Sequence, residues 1–294
     1  MNIVSILAAV AAIVLMASVP TLIKTNSANE IEIAAARLLI ASLGLTVYLS
    51  VRRYSWRELL PHIKPLAILG AVFALHWYLY FKSIKLATAS IAAIAVSTYG
   101  IHVTLLSAVF LKQSITRFDA LVTLIGFIGI YFVVPDLDWQ SDYFIGAIIG
   151  VLSGFLYAVL PILHQRFSQI DTLVRAWGQF TFAFIAFLPF VFFQPWQLNQ
   201  QDILGLLFLG VAATLLAHTF WIKATTELPG VVSGIIYYLY IPLAVSISVV
   251  FLKDDLSFTM IIGAVVIIMA NVLLVLQKWR VNRQHKIISN ANAK

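Results

Sequence analysis

Residues 76–112 read HWYLYFKSIKLATASIAAIAVSTYGIHVTLLSAVFLK, and residues 217–253, which lie 141 positions later, read AHTFWIKATTELPGVVSGIIYYLYIPLAVSISVVFLK. Both follow one plan: a polar and aromatic helix end, a lysine, a short break, and a long apolar run closed by Phe-Leu-Lys. Aligned without a gap, the two stretches match at Lys82/Lys223, Ile94/Ile235, Tyr99/Tyr240, Ser107/Ser248 and the closing Phe110-Leu111-Lys112/Phe251-Leu252-Lys253. The pattern predicts an internally duplicated chain.

The composition indicates an integral membrane protein. Hydrophobic residues make up 62% of the 294 residues and charged residues 11%, whereas an ordinary soluble domain has about 45–50% apolar and about 25% charged residues. The net charge is +7, but the basic residues lie in short loops and in the tail between apolar runs, where they set membrane topology rather than bind nucleic acid. The chain has no cysteine, which excludes disulfides, thiolate metal sites and a cysteine nucleophile.

The apolar runs predict an all-α fold of ten transmembrane helices. Each run is close to the roughly 17–25 residues that cross a bilayer as a helix. The predicted spans are residues 3–23, 31–50, 65–82, 87–111, 118–135, 143–163, 173–193, 202–222, 230–252 and 258–278.

The distribution of lysine and arginine predicts the orientation. With a cytoplasmic N-terminus, fourteen of these residues fall in inner segments and four in outer ones. The acidic loop at Asp136, Asp138 and Asp142 then lies outside. Because cytoplasmic loops carry the excess of positive charge, both termini are predicted to be cytoplasmic, with residues 281–294 as a basic cytoplasmic tail. The short tails favour a bacterial inner membrane.

An odd number of spans in each half gives the duplication a physical meaning. Five spans per half thread the second half through the membrane upside down, so residues 1–137 and 138–280 are predicted to be inverted five-helix repeats. Inverted repeats of this kind recur in secondary transporters, whose substrate site lies near the midplane where the halves meet. The pattern favours a transporter that works by alternating access, and two halves in one chain favour a functional monomer.

Three segments carry a family resemblance: AARLLIASLGLTVYL at 35–49, LIGFIGIYFVV at 124–134 and IIGAVVIIMANVLLVL at 261–276. With the repeated short break and long apolar run, they resemble the ten-helix EamA branch of the drug/metabolite transporter superfamily. The resemblance implies export or facilitated movement of amino acids, other metabolites or drugs. Two features depart from it. The glutamate usual after the fourth and ninth spans is replaced by Lys112-Gln113 and Lys253-Asp254, and of two mid-span prolines only Pro242 is present, opposite Ile101.

Helical spacing groups polar and aromatic side chains on single faces of five spans. Such faces are poorly placed against lipid, so they predict a shared central cavity, and the family resemblance points to the same helices. The predicted substrate-binding residues are His76, Trp77, Tyr80, Tyr99, His102, Tyr157, His218, Trp221, Tyr237 and Tyr240.

Several of these residues also have a purely structural interpretation. Trp77 and Trp221 fit interfacial anchors equally well, and the histidines fit hydrogen bonds that hold membrane helices together. Arg37 lies about seven residues into its span, where a charge needs a partner or a cavity. We expect it to form an ion pair or carbonyl contacts near the outer surface, with a partner on another helix. Arg175, closer to the inner interface, is expected to be a topology anchor.

The lack of acidic residues deep in the predicted spans disfavours some transport mechanisms. Every Asp and Glu is predicted to fall near a span end, so a carboxylate that binds a cation and a proton in turn is not expected. An aromatic cavity poor in acids favours neutral or zwitterionic solutes, including amino acids, moved by facilitated diffusion or exchange. The histidines keep a proton-coupled exporter of drugs or organic cations open. Translocation of a lipid-linked sugar is a minor alternative.

An enzyme is not expected. The sequence has neither paired acids at helical spacing within a span nor a His-x-x-x-His or His-Glu-x-x-His set. Catalytic residues, metals and cofactors are therefore predicted to be absent, and the expected partners are the bilayer and a small-molecule substrate.

Overall fold

The computed structural model describes residues 3–110, 116–134, 138–228 and 230–292, which fold into helices without a β-strand. Lys112, Gln113 and Asp136 lie outside these ranges. The α-helices of the first half are α1 (Ile3–Ala17), α2 (Val19–Thr25), α3 (Glu30–Val51), α4 (Ile63–Leu86), α5 (Ala89–Val96), α6 (Tyr99–Phe110) and α7 (Arg117–Val133). Those of the second half are α8 (Asp142–Arg166), α9 (Thr172–Val191), α10 (Gln200–Gly210), α11 (Ala217–Glu227), α12 (Gly230–Tyr237), α13 (Tyr240–Leu252) and α14 (Phe258–Asn292). A 3₁₀ turn, Trp56–His62, precedes α4, and a π-helical turn, Val211–Leu216, joins α10 to α11.

Seven helices of the described chain are long and apolar enough to cross a membrane. They are Ile3–Thr25, Glu30–Val51, Trp56–Leu86, Asp142–Arg166, Thr172–Val191, Gln200–Glu227 and Phe258–Gln277. The predicted spans at 87–111 and 230–252 are absent from this set because each is divided into two shorter helices. The span predicted at 118–135 is the 17-residue helix α7. The chain is thus a multi-pass membrane protein of helices, and the count of ten spans stays a prediction.

The two divided helices break at equivalent positions. The break between α5 and α6 falls at residues 97–98, and the break between α12 and α13 falls at 238–239, which is the same register after the 141-residue offset. At the first break, the Ser97 hydroxyl donates to the Ala93 carbonyl at 2.7 Å and the Thr98 hydroxyl to the Ala95 carbonyl at 2.8 Å. The Ser97 side chain thus satisfies a carbonyl at the interruption, and the Thr98 hydroxyl adds a donor to the Ala95 carbonyl, which also accepts the Thr98 N–H at 3.2 Å.

The acidic residues near helix starts have structural partners. Glu32 and Asp202 each complete a capping box, with Asn29 and Asn199 respectively at the N-cap. An anionic side chain there accepts hydrogen bonds from free N–H groups, and its negative charge is stabilised by the positive end of the helix dipole. Asp202 also accepts from the Ser27 hydroxyl at 2.5 Å, which ties α10 to the loop before α3. The carboxylates therefore lie at helix ends, as the sequence predicts.

The principal contacts between the two halves occur in pairs: each has an equivalent in which the helices are replaced by their counterparts in the other half. Helix α4 packs against α8, and its counterpart α11 packs against α1. Helices α5 and α6 contact α8, and α12 and α13 contact α1. Helix α4 contacts α9, and α10 contacts α3. The broken helices of the two halves therefore enclose the centre of the molecule, while α7 and α14 pair with each other at its side.

Glycines let α8 approach the first half closely. A Cβ at Gly146 would lie 2.6 Å from the Ala87 Cβ, and one at Gly154 would lie 2.7 Å from the Val96 carbonyl oxygen. Both distances are too short for a real side chain, so the helix can pack against α5 only with glycine at these positions. Small residues at helix interfaces serve this purpose in membranes.

Large apolar side chains remain on the outer surface of the helices. Val47 is 63% exposed, Val250 70% and Phe251 74%. Water would not favour so many exposed apolar groups, but hydrocarbon accommodates them. The exterior of the bundle therefore fits a lipid environment.

Candidate functional site

A cavity of about 40 Å³ lies at the centre of the bundle. A water molecule needs about 10–15 Å³ by the same measure, so the cavity holds a few waters in this conformation. Both halves of the chain contribute to its wall. The lining side chains are Met16, Val19, Arg37, His76, Trp77, Tyr80, Phe81, Val96, Tyr157, His218, Tyr237 and Tyr240.

Seven of the ten residues predicted from helical spacing line this cavity. Trp221 lines a neighbouring cavity of about 20 Å³, which shares Tyr157 and His218 with the first. Tyr99 lies behind the wall, with its ring 5.0 Å from that of Tyr157. His102 lies apart, where its ring contacts Phe127 and Phe155 at centroid distances of 5.5 and 5.6 Å.

Tyrosines form one side of the cavity and join the two halves. The Tyr80 and Tyr240 hydroxyls are hydrogen-bonded to each other. The Tyr237 ring lies 4.6 Å from that of Tyr99 and 5.8 Å from that of Tyr240, and the second pair is stacked. Tyr99 and Tyr240 are the matched residues of the repeat, and each begins the helix after a break. The breaks therefore bring tyrosines from both halves together.

His76 is held in one orientation by Ser153 of α8. The Ser153 hydroxyl lies 3.0 Å from the His76 carbonyl oxygen, and the imidazole Nδ1 lies 3.0 Å from the Ser153 carbonyl oxygen. Because a carbonyl only accepts, Nδ1 carries the donated hydrogen and the hydroxyl donates to the His76 carbonyl. The ring also stacks on Tyr157 at 4.7 Å. The Ser153 hydroxyl also lies 2.8 Å from Nδ1, so Ser153 contacts this nitrogen through both its side chain and its backbone and holds the ring in place.

His218 lies on the opposite helix, α11, among aromatic rings. Its ring centroid is 5.2 Å from that of Phe73 and 5.6 Å from that of Trp77. The side chain is 7% exposed and reaches both cavities. His218 therefore connects the central cavity with the smaller one, which is lined further along by His164 and Gln179.

Arg37 is the charged residue of the cavity lining, and spacing did not select it. The side chain is 1% exposed, its Nε donates to the Thr214 hydroxyl at 3.0 Å, and its guanidinium carbon lies 4.2 Å from the Trp77 ring centroid. No ion pair of Arg37 is found in the described residues, and its partner on another element is the neutral hydroxyl of Thr214. Its position deep in a predicted span was the available signal, and three-dimensional contacts show that it faces the cavity.

The remaining buried arginine, Arg175, has a different environment. Its guanidinium donates to the Ile170 carbonyl at 3.0 Å, to the His164 carbonyl at 2.7 Å and to the Thr172 hydroxyl at 3.1 Å. All these partners belong to the second half. Arg175 thus ties the end of α8 to the start of α9, and the anchor predicted from its position is a buried one.

A family model describes nearly the whole chain. The model of the EamA-like transporter family matches residues 3–134 and 144–276. The chain belongs to the EamA-like transporter family. The two matched segments are the halves whose side chains meet at the central cavity, so the cavity of this family member lies between its two EamA-like units.

Individual relatives agree with this assignment. An uncharacterized transporter of Bacillus subtilis (strain 168), YetK, is 25% identical over 210 residues, which cover 66% of this chain and 62% of YetK. The chain thus spans less than two thirds of that curated relative. A solved crystal structure has a TM-score of 0.65 and 17% identity, and the match covers 96% of this chain and 99% of that one. At this identity the likeness shows the fold alone.

The cavity of this EamA-like protein carries positive charge without a compensating acid. Its lining includes one arginine and two histidines but no Asp or Glu among the described residues. A protonated or cationic solute would meet Arg37 without a counter-charge. The described lining therefore offers aromatic surface, hydrogen-bonding groups and one cation.

Proposed function

We propose that the protein is a secondary transporter that moves amino acids or related neutral and zwitterionic solutes by alternating access. The observation that carries the proposal is the central cavity, which is shared by both EamA-like halves and lined by aromatic side chains without a carboxylate. Membership of the transporter family supports movement of a small solute across the bilayer. The predicted binding residues around Tyr80, Tyr157, Tyr237 and Tyr240 would contact the solute.

Two observations support the inverted repeat on which alternating access depends. The helix breaks at 97–98 and 238–239 occupy one register, and the main contacts are retained when the halves are exchanged. Broken helices at corresponding positions of two halves are typical of transporter binding sites. The proposal places five spans in each half and both termini in the cytoplasm of a cell whose inner membrane holds the protein. Each chain would work as a monomer.

The size of the cavity implies a conformational change. About 40 Å³ is too small for an amino acid, which has several times as many heavy atoms as the cavity has room for waters. The end of the bundle near Lys24 is held by polar contacts. There the Ser27 N–H donates to the Asp202 carboxylate at 2.8 Å, and the Asn26 side-chain amide donates to the Asp202 backbone carbonyl at 3.0 Å, so both contacts join the two halves. Opening would break contacts of this kind, as rocking of the halves requires.

The test is counterflow in liposomes that contain the purified protein. Labelled phenylalanine, tryptophan and threonine are each measured with and without a pH gradient, beside a cationic dye. We expect an amino acid to equilibrate at a rate that the gradient does not change. Concentration of the dye driven by the gradient would overturn the proposal.

The alternatives have less support. An exporter of organic cations coupled to protons needs an anionic site for its substrate, and the described lining provides Arg37 instead. Proton coupling through His76 or His218 would appear in the same assay as a dependence on the gradient. Translocation of a lipid-linked sugar would need room for a polar headgroup, and it would be detected with a labelled lipid-linked sugar in the same liposomes.

A further inference from the structure

Arg37 is a buried cation whose charge no side chain neutralises within the described chain. Its Nη1 atom is buried without a hydrogen-bond partner there. The two acids of the same helix have other partners, since Glu30 pairs with Lys82 and Glu32 caps its own helix. A guanidinium stays charged in proteins, and an unpaired charge in a membrane interior is costly. The protein retains this cost at the wall of its central cavity.

The aromatic contacts of Arg37 leave a guanidinium donor without a partner. The guanidinium carbon lies 4.2 Å from the Trp77 ring centroid and 5.2 Å from that of Phe81. Such cation–π contacts compensate part of the charge. Carboxylates bind through the N–H groups of a guanidinium. Because Nη1 has no hydrogen-bond partner in the described chain, it remains as a donor for a ligand.

A local distortion of the opposing helix orients Arg37. The π-helical turn Val211–Leu216 carries Thr214, whose hydroxyl donates to the Leu209 carbonyl at 2.7 Å. The hydroxyl oxygen is then free to accept from Arg37 Nε at 3.0 Å. Short π-helical turns are frequent at functional sites. Thr214 is thus a positioning residue that holds Nε and leaves the other end of the guanidinium for a solute.

We propose that Arg37 binds the carboxylate of the transported solute, and that the cavity requires no ammonium group. This inference rests on the transport function proposed above and names its substrate class: aromatic or apolar monocarboxylates, of which amino acids are one kind. For an ammonium group the described lining offers hydroxyl, imidazole and aromatic groups but no carboxylate, and Trp77 and Phe81 are already in cation–π contact with Arg37. Removal of the amine from a substrate should therefore cost little, whereas removal of the carboxylate leaves Arg37 unpaired.

Three compounds with one phenylethyl skeleton test the inference at pH 7. Phenylalanine has both charged groups, 3-phenylpropionate has only the carboxylate, and phenethylamine has only the ammonium. Binding to the purified protein is measured by ligand-dependent thermal stabilisation, and transport by competition with labelled phenylalanine in liposomes. We expect 3-phenylpropionate to bind at least as tightly as phenylalanine. Phenethylamine should bind about 10- to 100-fold more weakly, which is the range for loss of a charged hydrogen bond.

Variants assign the effect to Arg37. Arg37→Gln should weaken the two carboxylates by about 10- to 100-fold and change phenethylamine by less than about threefold. Thr214→Val, which removes the acceptor for Nε, should give a smaller loss in the same direction. The matched control is Arg52→Gln, because Arg52 is exposed at the end of α3 and should leave the ranking unchanged. Should Arg37→Gln fail to fold, the ranking with wild-type protein and with Thr214→Val decides.

The outcomes separate the inference from the transport function. Phenylalanine counterflow with tight binding of phenethylamine, or with loss of binding when the amine is removed, would overturn the carboxylate assignment while transport stands. Absence of phenylalanine, tryptophan and threonine counterflow from folded protein would overturn both proposals. An unchanged ranking in Arg37→Gln would show that another group recognises the acid, and the inference would be wrong.

Discussion

Two buried arginines of this EamA-like protein, Arg37 and Arg175, have opposite environments although each is 1% exposed. Arg175 donates to carbonyl and hydroxyl oxygens on several sides. Within the described residues, Arg37 makes one hydrogen bond, to Thr214, and its guanidinium contacts the Trp77 ring beside the cavity. Satisfied donors indicate a structural role, and unsatisfied donors beside a cavity indicate a ligand. Burial alone does not distinguish the two roles.

The largest expected effect is on the stability of Arg175→Leu. The substitution leaves the Ile170 and His164 carbonyls without their charged donor, and each buried group left unpaired costs about 1–3 kcal/mol. We expect a decrease of about 3 kcal/mol in the free energy of unfolding, measured by denaturation in detergent. Folded protein that remains should keep the wild-type affinity for substrate. Unchanged stability would contradict the structural role assigned to Arg175, and with it the difference in role between the two arginines.

Arg37→Leu should show the opposite pattern, with a large loss of transport and a small change in stability. Transport of a carboxylate-bearing solute should fall about 100-fold, because a charged hydrogen bond contributes about 1.5–3 kcal/mol. Stability should stay within about 1 kcal/mol of wild type, since the variant removes an uncompensated charge along with one hydrogen bond. Liposome flux and thermal unfolding measured on the same preparation check both parts. A protein that loses flux because it unfolds would place Arg37 in the same structural class as Arg175.

A smaller effect is expected at Ser153, which acts through His76 rather than on the solute. Ser153→Ala removes the hydroxyl that donates to the His76 carbonyl, at a cost of about 1–1.5 kcal/mol. Affinity should fall about fivefold for carboxylates and amines alike, because the imidazole lacks the charge preference of Arg37. Titration of the three phenylethyl compounds measures this. A loss confined to carboxylates would mean that His76 shares the recognition assigned to Arg37.

The smallest effect should come from Tyr240→Phe. The change removes the hydrogen bond between Tyr80 and Tyr240 but keeps the ring stacked on Tyr237. The stabilisation lost is therefore that of one hydrogen bond, about 1 kcal/mol. We expect the exchange rate to change about threefold, with the preference among the three compounds unchanged. Stopped-flow counterflow compares the rates. A reversed preference would show that this tyrosine pair, and not Arg37, selects the solute.

Much of the architecture could be predicted from the chain. Helix-length apolar runs predicted a helical membrane protein, and the repeated plan of 76–112 and 217–253 predicted the two halves that the family model matches. The spans predicted at 87–111 and 230–252 each contain a helix break that the sequence did not predict, and the second piece begins at the matched tyrosine, Tyr99 or Tyr240. Helical hydropathy is insensitive to such breaks, because both pieces of each broken helix are apolar.

The candidate site, too, could be predicted only in part from the sequence. Spacing on single helices selected His76, Tyr80 and Tyr157, which do line the cavity. The same criterion selected His102, which lies among Phe127 and Phe155. Periodicity identifies a polar face of a helix, but it does not identify which neighbouring helix that face meets.

The sequence by itself determined that this chain lies in a membrane, that it is duplicated, and that its acids stay near helix ends, because each of these follows from local composition and spacing. Only the tertiary structure decided the role of Arg37. Whether a buried cation is neutralised depends on groups far away in sequence, and here Thr214 and Trp77 approach it while Glu30 pairs with Lys82. Such a balance of charges is a property of the packed bundle, so no single helix encodes it.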